Sequence, residues 1–194
     1  GQAADYDNWR QLGNAGWAWD DVLPHFLRSE DHHGGQTELH GKGGPWKVAP
    51  QRLKWRILRE VQQAAREVGI EPRADFNDGN NEGSGFFEVN QKGGQRWNTV
   101  RGFLRPAMKR ANLRVLTGAE TTSLMLEGRR AVGVRFLQGG AARSVRAGRG
   151  VILAAGAIHS PKLLELSGIG DPDRLSALGI TPRHALSEVG ENLQ

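Results

Sequence analysis

Apolar residues recur three and four positions apart through Leu53, Ile57, Val61, Ala64 or Ala65, and Val68, while Lys54, Arg56, Arg59, Glu60 and Glu67 fall off that stripe. The spacing predicts a helix over 51–69, laid against a sheet and stopped by Gly69. Shorter stretches repeat the pattern. Val22, Leu23, Phe26 and Leu27 predict a helix capped by Asp20, with Pro24 tolerated in its first turn. Val100, Phe103, Leu104, Ala107 and Met108 predict another over 100–112, kinked at Pro106. Leu175 and Leu178, with Asp171 and Pro172 as cap and first residue and Gly179 as stop, predict a third. From 113 to 154 the period shortens. Runs at 113–117, 122–126, 131–137, 143–147 and 151–154 read as strands, parted by Glu127, Gly128 and Arg129 and by Gly139 and Gly140. Three antiparallel strands then lie between two parallel ones, a β-meander. Phe86, Phe87 and Val89 begin a further strand, and 92–94 is a hairpin-like turn.

The stretch 151–170, VILAAGAIHSPKLLELSGIG, organises the rest. Val151, Ile152 and Leu153 start an apolar run without alternation, the pattern of a strand buried on both faces. Ala154, Ala155, Gly156 and Ala157 carry almost no side chain, so another group can approach the backbone closely. Ser160 and Pro161 read as the N-cap and first residue of a helix with Leu163, Leu164 and Leu166 on its apolar face. Gly168 ends that helix in the left-handed conformation. A buried strand leading through a small-residue turn into a helix is the ligand-binding corner of an open parallel sheet. The helix start favours an anion or a polar cofactor atom.

Residues 156–170 also carry a resemblance. Gly156, Ala157, Ser160, Pro161, Leu163, Leu164, Ser167, Gly168, Ile169 and Gly170 match the second signature of the glucose–methanol–choline (GMC) oxidoreductases. Residues 1–30 resemble the family region after its first flavin signature, part of the connection and lid between two domains. Residues 41–48, GKGGPWKV, resemble the entry into the substrate domain, 96–118 the return from it, and 189–194, VGENLQ, a later string of the pattern. The resemblance implies an α/β fold with an α+β insert: part of a two-dinucleotide-binding-type FAD domain with its β-meander, plus part of an antiparallel-sheet substrate domain. The expected division is 1–45 for the flavin-domain and lid connection, 46–110 for the substrate-domain portion, and 111–194 for the flavin-domain portion.

The cofactor implied is FAD, with Thr121 meeting the adenine through its backbone and Ala154, Ala155 and Gly156 forming a small-residue wall. The reaction implied is hydride transfer from an alcohol to flavin, and the local wording is that of the choline- and alcohol-dehydrogenase branch. Choline is the first substrate expected, and its quaternary ammonium calls for an aromatic or anionic cage, part of which the acidic, Trp-rich first segment can supply. Trp9, Trp17 and Trp19 otherwise read as packing residues. No catalytic residue is assigned. The family's catalytic His falls beyond the second signature, and His159 occupies a variable position, so it reads as structural or exposed. No glycine triplet follows a strand, so the pyrophosphate-binding helix is not within the sequence. The chain therefore reads as a piece of a longer protein that holds FAD weakly by itself and hides its apolar surface by self-association.

Composition narrows the alternatives. The sequence has 194 residues, 27 of them glycine and none cysteine, which gives a loop-rich globular chain with neither a disulfide framework nor a thiolate metal site. No apolar run approaches the roughly 20 residues of a membrane span, and no signal peptide is visible. The expected location is the cytoplasm, with membrane association open. His32, His33 and His40 match no metal-ligand spacing and read as exposed loop histidines, so no metal is expected. The cluster 77–83 lacks the calcium-loop positions and reads as a mobile turn. Residues 1–40 hold seven acids and two bases, whereas 96–149 hold twelve bases and two acids. The basic residues are scattered, without interleaved aromatics, which fits a solvated face better than nucleic acid. A basic module that binds an anion or nucleic acid is the alternative from another class, and another flavoprotein family, such as a disulfide reductase, is a third.

Overall fold

A computed structural model describes residues 2–193. The chain forms two compact units, Gly1–Arg114 and Val115–Gln194.

The second unit is built on the meander. Strands Ala119–Glu127, Arg130–Gln138 and Ala141–Arg146 pair antiparallel in that order. Two-residue turns join them, so each strand meets its neighbour at once and the register follows locally. The first strand carries irregularities between Thr121 and Ser123 and between Met125 and Leu126. The helix Gly156–Leu166 packs on it. Leu124, Val132, Phe136, Leu163, Leu175 and Val189 are buried, Leu175 at 0% exposure. Ser167 is buried among them. Its Oγ accepts the Leu124 N–H at 2.8 Å and donates to the Leu163 carbonyl at 2.5 Å, tying the helix end to the strand. The short helix Pro172–Ala177 is capped as expected, the Asp171 carboxylate accepting the Arg174 N–H at 2.8 Å.

Two expected strands do not form. Neither 113–117 nor 151–154 pairs with another strand among the described residues, and a strand exists only by pairing. Ile152 is 92% exposed, the reverse of the two-sided burial its apolar neighbours suggest.

The first unit has shorter elements. Helices Ala3–Gln11 and Trp19–Ser29 pack together, and the Trp19 N–H donates to the Asp7 Oδ1 at 3.1 Å. The rings of Tyr6, Trp9, Trp17, Trp19 and Phe26 meet at 5.3–5.8 Å, while Trp9 and Trp17 remain exposed. The second helix starts one residue before Asp20. Ala18 is its cap, and Asp21 reaches back to the Ala18 N–H at 3.0 Å. Pro24 consequently lies beyond the first turn and removes one intrahelical bond. Glu30–His32 runs parallel to Trp46–Pro50, which pairs antiparallel with Glu88–Val89. The hairpin Gln91–Lys92 with Gln95–Arg96 forms as expected. The helix Arg56–Glu67 also forms, but its stripe does not pack on a sheet. None of its residues is buried, and Ile57 and Val61 are exposed along with the adjoining Leu53 and Val68. The segment 100–112 shrinks to a π-turn, Val100–Leu104, and one helical turn, Arg105–Ala107, with Pro106 just past the junction.

Candidate functional site

The predicted site lies in the second unit. Thr121, Ala154 and Ala155 line one open concavity of about 390 Å³, together with Val134, Val151, Ile152, Leu153 and Leu163. Gly156 follows at its edge and does not line it. The walls are apolar, and the main chain of 151–154 makes no hydrogen bond among the described residues.

The turn beside this concavity differs from expectation. The helix begins at Gly156 with Ala155 as cap, five residues before Pro161. Gly156 has φ +88°, a backbone setting that a side chain disfavours, and it lets the chain enter the helix at once. Ser160 is therefore inside the helix. Its hydroxyl accepts the Ala155 N–H at 3.0 Å, bracing the turn without capping the helix. Pro161 lies within the helix, where its missing N–H leaves the Ala157 carbonyl without that donor. Gly168, φ +85°, ends the helix as expected. His159 is exposed.

A second cleft of the same unit, about 410 Å³, is lined by Arg135, Arg146 and Arg183 together with Ser123, Glu127 and Thr181. Arg146 is paired with Glu127 at 2.7 Å.

The first unit holds a cluster that the sequence did not reveal. His32 and His40 are 7% and 5% exposed, not loop histidines in solvent; His33 is exposed. Carboxylates explain the burial. His40 bonds Glu30 through Nδ1 at 3.0 Å and Asp75 through Nε2 at 2.8 Å. His32 bonds Glu88 at 2.9 Å, His33 bonds the other oxygen of Glu88, and the His32 and His40 rings stack at 3.9 Å. Gly41 makes this packing possible. A Cβ there would fall 1.8 Å from the Leu27 carbonyl, and its N–H donates to Glu30 at 2.8 Å. Asp31, hydrogen-bonded by Lys47 and the Gly43 N–H, is pulled down to about 2.

Two trios here bring donor atoms within 4.8 Å of one another, His32 with His33 and Glu88, and His32 with His40 and Asp75. Their protons are already placed otherwise. The Gly34 N–H donates to His32 Nδ1 at 3.2 Å, which puts that ring's proton on Nε2, facing Glu88. A metal-ligating imidazole needs the opposite arrangement. Both His40 nitrogens face carboxylates, and although burial lowers the ring's proton affinity, Glu30 and Asp75 raise it on balance. The histidines and carboxylates form one hydrogen-bonded network.

This network edges a cavity of about 400 Å³ lined by Tyr6, Trp19, Phe26, Trp46 and Phe76, with Glu30, His40 and Glu88 as its ionisable groups. No lysine or arginine lines it. The burial of His32 and His40 was missed because their partners are distant in sequence. The one available signal was the acid excess of 1–40, which offers histidines counter-charges.

Comparison with known proteins follows the same lines. The sequence profile of the GMC oxidoreductases matches residues 1–194. Oxygen-dependent choline dehydrogenase of Brucella anthropi is 40% identical over all of this chain and 35% of its own length. Among solved structures, pyridoxine 4-oxidase from Mesorbium loti matches with TM-score 0.90 and 31% identity over 97% of this chain and 37% of that one. An FAD-dependent oxidoreductase from Chaetomium thermophilum matches with TM-score 0.92 and 30% identity over 100% of this chain and 36% of that one. The chain thus spans 35% of the length of the curated relatives it matches. Its mixed helix-and-sheet fold is shared over nearly its whole length with these oxidoreductases. A free-standing basic module is not favoured, because the family profile runs through the basic segment as through the rest.

Proposed function

The chain belongs to the GMC oxidoreductase family, and on that premise we propose that it is part of an FAD-dependent alcohol dehydrogenase whose first substrate is choline. The observation that carries this reading is the meeting of Thr121, Ala154 and Ala155 at one apolar concavity. Its walls suit a flat ring, and the unspent main-chain groups of 151–154 suit the ring's polar edge. In this reading Thr121 meets the adenine through its backbone, and Ala154, Ala155 and Gly156 form a small-residue wall beside the cofactor. FAD, when bound, supplies the acceptor for the hydride that leaves the alcohol carbon. This chain's residues shape and dry the site; none is assigned as the base that takes the hydroxyl proton.

Choline is supported by the choline dehydrogenase relatives and by the aromatic, acid-lined cavity of the first unit, which we read as part of the substrate enclosure. The division of the chain into a connection, 1–45, a substrate-domain portion, 46–110, and a flavin-domain portion, 111–194, is part of the same proposal. So is a cytoplasmic location, with membrane association open; among the described residues no helix is long and apolar enough to cross a membrane.

Flavin titration tests the reading. In the full-length enzyme, Gly156→Val places a branched side chain at φ +88° and is expected to weaken FAD binding about tenfold, equivalent to about 1.4 kcal/mol. Unchanged flavin affinity in that variant removes the site assignment, and a holoenzyme that oxidises no alcohol, choline included, removes the function. The 194-residue chain alone is expected to bind FAD far more weakly than the full-length enzyme.

A further inference from the structure

We propose that the cleft of the second unit lined by Arg135, Arg146 and Arg183 binds the phosphate group of a small phosphomonoester, at a site separate from the flavin concavity. The site is an addition to the oxidoreductase reading and stands or falls apart from it.

Sheet geometry brings the first two arginines together. Arg135, in the middle strand of the meander, stands opposite Ser144, and Arg146, in the last strand, stands opposite Gly133. Opposite residues share a face, so the two arginines point the same way as diagonal neighbours, about 7–8 Å apart. Like charges at that spacing repel, and Gly133 puts no side chain between them. Ser123, in the first strand, is the other partner of Arg135 and adds a hydroxyl to the same face. Arg183 arrives from a different segment. Gly168 lets that segment press on the end of the helix Gly156–Leu166. A Cβ at 168 would fall 2.6 Å from the Thr181 carbonyl and 2.9 Å from Arg183 Cγ. The Arg183 N–H donates to the Gly168 carbonyl at 2.7 Å, so the main chain fixes where this side chain starts.

The charges in the cleft do not balance. Its one carboxylate, Glu127, is taken by Arg146 at 2.7 Å. Among the described residues, Arg135 and Arg183 have no ion pair and no side-chain hydrogen bond, and the hydroxyls of Ser123 and Thr181 have no partner either. Two uncompensated guanidinium groups and two unengaged hydroxyls therefore line one space. Guanidinium N–H groups come in pairs that match two oxygens of a phosphate, and a phosphate monoester carries close to two negative charges. A carboxylate carries one and leaves a cation uncompensated. The inner wall is apolar, with Leu124 and Val132 buried and Leu166 and Ile180 beside them. At about 410 Å³ the cleft has room for an apolar body behind the phosphate. No residue lines both this cleft and the flavin concavity, so one can fill while the other is occupied.

Calorimetric titration of the full-length holoenzyme with phenyl phosphate tests the site, with inorganic phosphate and phenol as the two halves of the probe. The expected result is one phenyl phosphate per chain, bound more tightly than inorganic phosphate, with no binding of phenol and no change in flavin absorbance. Arg135→Gln and Arg183→Gln should each weaken phenyl phosphate binding about tenfold, the loss of one charge-assisted contact. Arg143→Gln, on the other face of the last strand and outside the cleft, should leave it unchanged. Arg135 and Arg183 are both exposed, and if one variant does not fold the other decides. Absence of binding in the parent enzyme, an equal loss in Arg143→Gln, or displacement of the flavin overturns the site. Inorganic phosphate or phenol binding as tightly as phenyl phosphate overturns the phosphomonoester assignment.

Discussion

The two units are held together by different means. Among the described residues, Val115–Gln194 has six buried apolar side chains and, besides the two-residue pair Ile169–Gly170 and His184–Ala185, three strands of six to nine residues. Gly1–Arg114 is longer, yet among its described residues the one buried apolar side chain is Val22, and its strands have two to five residues. In place of a core it has aromatic rings meeting edge to face and a buried network of histidines and carboxylates. A core is non-directional and tolerates small shifts, whereas a polar network holds only while every partner is present.

Equivalent truncations should expose this difference. Leu175→Ala removes a side chain with 0% exposure and should destabilise the second unit by about 3 kcal/mol, since a closed core relaxes little around the cavity. Val22→Ala in the first unit should cost about 1 kcal/mol, because loosely packed surroundings collapse into the space. Denaturant unfolding followed by probes in each unit checks both values, and equal costs would erase the contrast between the units. The smallest effect belongs to Ser160→Ala. It removes a single exposed bond to the Ala155 N–H and should cost about 0.5 kcal/mol. A loss near 2 kcal/mol in the same measurement would mean that Ser160 caps the helix after all.

The contrast also marks what could be read in advance. The meander was legible because its turns sit between strands adjacent in sequence, and Gly139 and Gly140 announce one of them. Asp171 and Pro172 announced their helix by the same local chemistry. The helix Ala3–Gln11 was not legible, since its mean character is polar and its ordering comes from Asp5 on the Gln2 N–H and from rings outside it. Val151, Ile152 and Leu153 show the limit of an apolar run, which records a tendency to be covered but not the neighbour that covers it. For His40, the partners stand 10 and 35 residues away, and for His32 the partner stands 56 away. No periodicity links such positions. At the candidate site, the small residues 154–156 were visible as a turn, but their meeting with Thr121 needs the meander to bring that strand alongside.

Ser167 carries a further consequence, concerning which substitutions the chain can accept. Its hydroxyl accepts from one main-chain group and donates to another in a space with almost no solvent. The Leu124 N–H belongs to the backbone and is present whatever residue stands at 124. The demand for a short hydroxyl side chain at 167 therefore cannot be lifted by a compensating change in the strand. Alanine supplies neither bond, a thiol supplies both weakly, and an amide is too long. The identity of one residue is thus set by a peptide group 43 positions earlier, and it stays set however freely the side chains around it vary.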